Sequence, residues 1–199
     1  MSIDKLLTAN EAHTHGDILN KINTIIDALN IGSLAFVGNA FIADSATAVT
    51  PISLTANVEA QLTNDALGAA NDDAHLPVGV TSIWNSSTNQ IDFSELEVGD
   101  MVDIAIDLIG TTTSPNQEYD IYVRLAAGTA DEEDIQWTWS QIKSAGTRKL
   151  NRMNGILIKN ANIKNTPATI YLKTDSAGSV VINGFYFKII RRGENIVSN

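Results

Sequence analysis

Two runs between Met101 and Leu125, MVDIAIDLI and YDIYVRL, alternate apolar and polar residues without a break and flank a turn-rich link, Thr111 to Glu118. Val102, Ile104, Ile106 and Leu108 fall on one parity, with Asp103, Ala105 and Asp107 on the other. Tyr119, Ile121, Val123 and Leu125 repeat the pattern against Asp120, Tyr122 and Arg124. Successive side chains of a strand point to opposite faces, so both runs predict sheet strands with one face buried and one wet.

From Ile31 onward the chain reads as strands and turns. The predicted strands are 34–42, 49–55, 78–84, 91–93, 101–109, 119–126, 135–143, 147–152, 155–163, 168–174 and 179–190. So many short runs predict an all-β sandwich. Gly99, Gly146 and Gly178 punctuate the links, where a positive φ is cheap for glycine. Asn183-Gly184 predicts a bulge inside the last strand, because strand signal continues on both sides of it. Thr63 to Pro77 has no periodicity and is expected to be a surface loop.

Asp17 to Leu29 is the one convincing helix. Asp17 can cap it, and Ile18, Ile22, Ile25 and Leu29 recur at spacings of four, three and four. The stripe fits a short coiled-coil seam, with isoleucine at both a-type and d-type positions favouring three or four chains. It fits equally a helix packed on the body of its own subunit. The division expected is an N-terminal arm and helix over 1–30, serving as anchor or assembly element, and a β-sandwich domain over 31–199.

Composition narrows the function. A chain of 199 residues, 44% hydrophobic, can bury one substantial core. It has no run of 18 apolar residues, and its start lacks the basic region and apolar core of a signal peptide, so no membrane partner is expected. With zero cysteines there is no disulfide framework and no thiolate chemistry. Residues 1–142 carry 21 acidic and 3 basic side chains, a net −18, whereas residues 143–199 carry 10 basic and 2 acidic, a net +8. The two halves are expected to attract, with C-terminal strands beside acidic N-terminal ones in one sandwich or across a subunit interface. Nucleic acid is not expected as a partner, since the basic residues lack aromatic interleaving and the overall charge of −10 repels phosphate.

No candidate for chemistry is compelling. His13 and His15 could point the same way and share a metal, yet no carboxylate pattern completes the site, and His75 has no histidine neighbour in sequence. Asp103 and Asp107 lie roughly 13 Å apart along a strand at about 3.3 Å per residue. A glycosidase pair needs about 5 to 9 Å. Asp103, Asp107, Asp120 and Arg124 are instead expected to form cross-strand ion pairs on a wet face. Asp131 to Asp134 lacks the ligand spacing and glycine of a calcium loop and reads as a solvated loop. Trp137 and Trp139 share a parity, with Trp84 a possible neighbour; they suit a glycan platform or core and interface packing. Neither a phosphate loop nor a nucleophile elbow is present, and the protein is expected to be neither an enzyme nor a cofactor binder.

Several motifs together carry a resemblance. They are LPVGVTSIWN at 76–85, IDFS at 91–94, VGDMVDI at 98–104, TTTSPNQE at 111–118, LTNDALG at 62–68 and VINGFY at 181–186. In these the chain resembles a β-sandwich domain of tailed-bacteriophage structural proteins. The resemblance implies a jelly-roll, similar to tumour-necrosis-factor-like domains, that forms a homotrimer on the virion as capsid cement or decoration, head fibre or tail tip. The short N-terminal segment leaves no shaft for a tail fibre, which favours capsid cement. The expected partners are then a second and third copy, through Ile18, Ile22, Ile25 and Leu29, and the major capsid protein on the virion surface. The alternative is a receptor-binding fibre tip that holds host surface glycans through Trp137, Trp139 and the 63–77 loop.

Overall fold

The computed structural model describes residues 16, 19–25, 37–142 and 146–192, excepting the side chains of 137–142 and 148–153. Residues 19–25 are helical (α1). Asp17, Ile18 and Leu29, like His13 and His15, lie outside the described residues. The body contains β1 (Val37–Ala43), α2 (Ala46–Val49), β2 (Ile52–Leu54), β3 (Ala60–Gln61), β4 (Asp72–His75), β5 (Trp84–Asn85) and β6 (Gln90–Ile91). It continues with β7 (Met101–Thr112), β8 (Gln117–Leu125), β9 (Glu133–Ile142), β10 (Gly146–Leu157), α3 (Ala161–Asn165), β11 (Thr169–Thr174) and β12 (Gly178–Ile190).

Two antiparallel sheets face each other. One runs β10-β7-β12-β1-β4, with β2 also on β12; the other runs β3-β11-β8-β9. The first strand therefore neighbours the last, and from β7 to β12 the chain changes sheet at every step except the β8–β9 hairpin, which pairs within one sheet. This is the strand order of a jelly-roll sandwich. The alternation read from sequence holds: Val102, Ile104, Ile106 and Leu108 face Tyr119, Ile121, Val123 and Leu125 across the core, all essentially inaccessible. Each such side chain contributes about 2 kcal/mol on burial. Trp84 is a core residue too, edge-on to Phe185 with ring centroids 5.0 Å apart, and takes no part in a surface platform.

The link Thr111 to Glu118 is an arch that carries the chain from one sheet to the other, so β7 and β8 do not pair. It is stitched to the second arch of the same kind, between β11 and β12. Thr113 Oγ1 donates to Ala177 O at 2.7 Å, Gln117 Nε2 to Ser176 O at 2.7 Å, and Glu118 N to Asp175 Oδ1 at 3.1 Å. The expected ion pairs among Asp103, Asp107, Asp120 and Arg124 consequently do not form as a group: the first two aspartates lie on one sheet, Asp120 and Arg124 on the other.

Other expectations need correction at their ends. The 78–84 run is not a strand before Trp84, because a turn closes from Val80 N to Pro77 O at 3.0 Å; Val80 and Ile83 still plug the core. The predicted strand at 49–55 shrinks to β2 behind the helical turn α2. The strands predicted at 147–152 and 155–163 are one strand, β10. Its continuation turns into α3, where Asn160 Oδ1 caps Ile163 N at 3.0 Å. The bulge at Asn183 is present, seen as a register shift between Ile182 and Gly184 against β7. Glycine is required there, since a Cβ would stand 2.6 Å from the Phe41 ring.

The 63–77 segment is only partly a surface loop. Asp72–His75 forms β4 on the edge beside β1, and Asn64 is completely buried. Asn64 ties four segments together: its Nδ2 donates to Ile42 O (2.7 Å), and its Oδ1 accepts from Ala66 N (2.8 Å). Its N–H donates to Asn89 Oδ1 (2.9 Å), and its carbonyl accepts from Trp84 Nε1 (3.0 Å). Replacing Asn64 by Ala strands the Ile42 carbonyl in a dry site. The expected loss is about 2 kcal/mol, seen as a lower denaturant midpoint at unchanged slope.

Candidate interaction surface

Long-range charge pairing follows the asymmetry of the sequence. Lys159 meets Glu133 at 2.6 Å, Lys164 meets Glu97 at 3.0 Å, and Arg191 meets the buried Asp100 at 3.4 Å. In the sheets, Lys173 stands opposite Asp120 and Lys188 opposite Asp103. Each pair joins the basic C-terminal part to the acidic N-terminal part of one sandwich. The motif VGDM owes its form to this closure. Asp100 Oδ1 accepts from Arg192 N at 2.6 Å, while Gly99, at φ +105°, makes room for the Arg192 side chain.

The outer face of the four-stranded sheet is polar and internally bonded. Tyr122 and Tyr171 stack with centroids 5.5 Å apart, and the Arg124 guanidinium lies over both rings at 5.4 and 5.1 Å. Arg124 makes a two-pronged pair with Asp134, its partner on β9, through Nε to Oδ1 at 2.9 Å and Nη2 to Oδ2 at 3.0 Å. It reaches Glu59 at 3.3 Å. The Tyr122 hydroxyl and then the Arg124 guanidinium hold the Glu59 carboxyl below the usual glutamate range. Asp134 foremost, with Glu59, pushes the guanidinium proton affinity further up, and burial raises the Tyr122 hydroxyl. The guanidinium is thus engaged by two carboxylates and lies over both rings.

The acidic run 131–134 is likewise dispersed among separate partners. Asp131 accepts from Asn162 Nδ2 (2.7 Å) and Glu132 from Gly128 N (2.6 Å), while Glu133 and Asp134 enter β9 and pair with Lys159 and Arg124. Asp44 and Asp65 clasp each other's backbone: Ser45 N donates to Asp65 Oδ1 (2.9 Å) and Asp65 N to Asp44 Oδ1 (3.0 Å). Burial pushes the Asp65 carboxyl up, but hydrogen bonds from the Ser45 hydroxyl, Leu67 N and Ser45 N outweigh it, and the net shift is downward. His75 is exposed on β4, 3.8 Å from Asp72. Among the described residues no set of three or more His, Asp or Glu is placed to share a metal ion. No described helix is long and apolar enough to cross a membrane.

The outer face of the six-stranded sheet differs. At one end, Leu157, Met101, Ile190 and Val37 are register partners across β10, β7, β12 and β1, forming a continuous apolar row. Leu157, Met101 and Val37 are 51%, 39% and 55% exposed. Two residues along, Asp103, Lys188 and Asn39 make a polar row; two further, Ala105, Tyr186 and Phe41 make a second apolar one. Ahead of β1, helix α1 presents Leu19, Ile22 and Ile25, each 45% exposed. Of the helix residues expected at an assembly contact, Ile22 and Ile25 are described and both are exposed. The outer apolar rows were signalled by apolar residues at both parities of β12, as in Tyr186-Phe187 and Ile189-Ile190. Trp137 and Trp139 pair in register with Ile121 and Tyr119; their side chains lie outside the described residues.

No family model and no curated protein matches the chain. Among solved structures it is similar to an Eiger TNF from S. frugiperda (6% identity, TM-score 0.46, covering 82% of this chain and 98% of that one). It is similar also to the PRD1 vertex protein P5 (14%, TM-score 0.37, 79% and 96%). A third is the CBM22-1 xylan-binding domain from Paenibacillus barcinonensis Xyn10C (10%, TM-score 0.38, 77% and 94%). Such likenesses concern backbone shape and carry no ligand or partner across.

Two outcomes are expected. Arg124→Lys, which cannot form the two-pronged pair or cover both rings, lowers unfolding free energy by about 1–2 kcal/mol in denaturant titration. Glu59, Asp65 and Glu95, the last lowered by the Thr81 N–H and hydroxyl, all have depressed carboxyl values. Their contribution is therefore complete above the ordinary values of 4.5 for glutamate and 3.8 for aspartate, and is lost as pH falls through the lower folded values. The melting temperature should fall steadily below about pH 5, and Arg124→Met should show less of that fall.

Proposed function

We propose that this protein is a non-enzymatic structural component of a tailed-bacteriophage virion, a trimeric cement or decoration protein that holds the shell through its N-terminal region. The observation that carries this reading is the distribution of apolar surface. The body is a jelly-roll with its apolar side chains packed between two sheets, while the helix ahead of it in sequence carries an apolar stripe, with Ile22 and Ile25 both exposed. An exposed stripe of this kind gains most by entering a groove on another protein, read as anchors three and four residues apart. The motif resemblance is consistent with it in a structural sense: LTNDALG, VGDM, TTTSPNQE and VINGFY fall on the Asn64 tie, the Asp100 closure, the inter-sheet arch and the bulge.

In this reading α1 with Ile18, Ile22, Ile25 and Leu29 is the anchor to the major capsid protein, and the jelly-roll is the clamp. The body supplies stability through packing and the helix supplies location. Two measurements test it. Purified particles should contain hundreds of copies of the chain, and a handful per particle would move it to the tail. The Ile22→Lys, Ile25→Lys variant should bind shells lacking this protein at least about tenfold more weakly, the loss of two buried anchors; unchanged binding would remove the helix from the contact.

A further inference from the structure

We infer that Asn154 is a site of spontaneous modification, converted to aspartate and isoaspartate through attack by the backbone nitrogen of Gly155. The sequence holds Asn-Gly twice, at Asn154-Gly155 on β10 and at Asn183-Gly184 in the bulge of β12. Glycine after asparagine leaves the next amide nitrogen unshielded by a Cβ and its backbone free to turn. Sequence alone therefore makes the two sites equal, and their surroundings separate them.

At the first site the Gly155 N–H donates to Asn154 Oδ1 at 2.9 Å, which seats the side-chain carboxamide against the nitrogen that attacks it. Reacting groups held within about 3.5 Å are in near-attack range. Gly155 is exposed and Asn154 partly so, and β10 is an end strand of its sheet, so water reaches the site and only β7 pairs beside it among the described residues. The second site is packed and tied. Strand β12 lies between β1 and β7, Gly184 is buried, and a Cβ there would stand 2.6 Å from the Phe41 ring. The Asn183 carboxamide is held by Asp107, its Nδ2 donating to Oδ1 at 3.0 Å, and the Asn183 carbonyl accepts from Asp44 N at 3.2 Å.

The reaction balances with water as its one co-reactant. The Gly155 nitrogen bonds to Asn154 Cγ, its proton passes through water to Nδ2, the Cγ–Nδ2 bond breaks, and ammonia leaves behind a cyclic imide. Water then adds at either imide carbonyl and reopens the ring as aspartate or isoaspartate. The product changes β10 in two ways. Gly146–Leu157 holds Arg148, Lys149 and Arg152 with no acidic residue, and it gains a first negative charge. Isoaspartate also lengthens the backbone just ahead of Ile156, which is completely buried.

The test incubates the full folded chain in neutral buffer, with a second sample in denaturant, and follows tryptic peptides by mass spectrometry. Cleavage after Arg152 and Lys159 isolates the first site, and cleavage after Lys173 and Lys188 the second; each peptide contains a single side-chain amide, so a mass gain is unambiguous. In the folded chain peptide 153–159 should convert at least about tenfold faster than peptide 174–188, a barrier difference of about 1.4 kcal/mol. In denaturant the two rates should converge. Equal rates in the folded chain, conversion of Asn154 only after unfolding, or the same tenfold contrast in denaturant, which would return it to sequence, would each overturn the inference.

Discussion

Everything in this sandwich depends on two sheets presenting their apolar parity to each other. Ile104, Ile106 and Leu108 on one side and Ile121, Val123 and Leu125 on the other are buried only because both sheets are complete. Each long strand half-satisfies itself and requires a partner layer, so the chain must pass repeatedly from one sheet to the other. The passages are where backbone groups would go unpaired. The chain resolves this with side chains: Gln117 and Thr113 stitch two arches, Asn64 ties four segments, and Asp100 receives the backbone of Arg192. The apolar interior creates the demand for these polar ties, and their geometry keeps the sheets in register.

Charge is deployed within the same frame. The acidic first part and basic last part of the chain meet because β1 and β7 flank β12, while Lys164 on α3 and Lys159, just past the end of β10, reach Glu97 and Glu133. These pairs are surface-exposed and individually weak. The Arg124 cluster is stronger, combining a two-pronged carboxylate pair with two ring faces. It ties β8, β9 and the segment before β3 together on the outer surface of the four-stranded sheet. Among the described residues, Leu157, Met101 and Val37 at one end of the six-stranded sheet stay exposed. The two outer faces thus differ in character, one carrying a bonded polar cluster and the other rows of apolar side chains.

The interior was legible from residues alone. Alternation in β7 and β8 marked which side chains would be buried, and the bulge at Asn183-Gly184 was readable because strand signal ran on through it. The segments that misled were those where apolar residues are buried without a ladder. Val80 and Ile83 plug the core from a turn, and the predicted strand at 155–163 breaks where Asn160 caps α3. Burial and strand pairing coincide in most of the sandwich, but a hydrophobic pattern reports only burial. Asn64, in the stretch read as a surface loop, shows the converse: a polar residue can be fully buried when every one of its groups finds a partner.

The amino-acid sequence by itself determined the all-β sandwich, the inward parity of its long strands and the attraction between its two charged parts. These depend on a side-chain period of two and on composition, both local properties. Only the tertiary structure decided that Met101–Leu125 divides between two sheets, that Asp103 and Arg124 stand on opposite outer faces, and that Leu157, Met101, Ile190 and Val37 form one row. In a jelly-roll the first strand pairs with the last, and parity says whether a side chain points inward without saying which strand lies beside it.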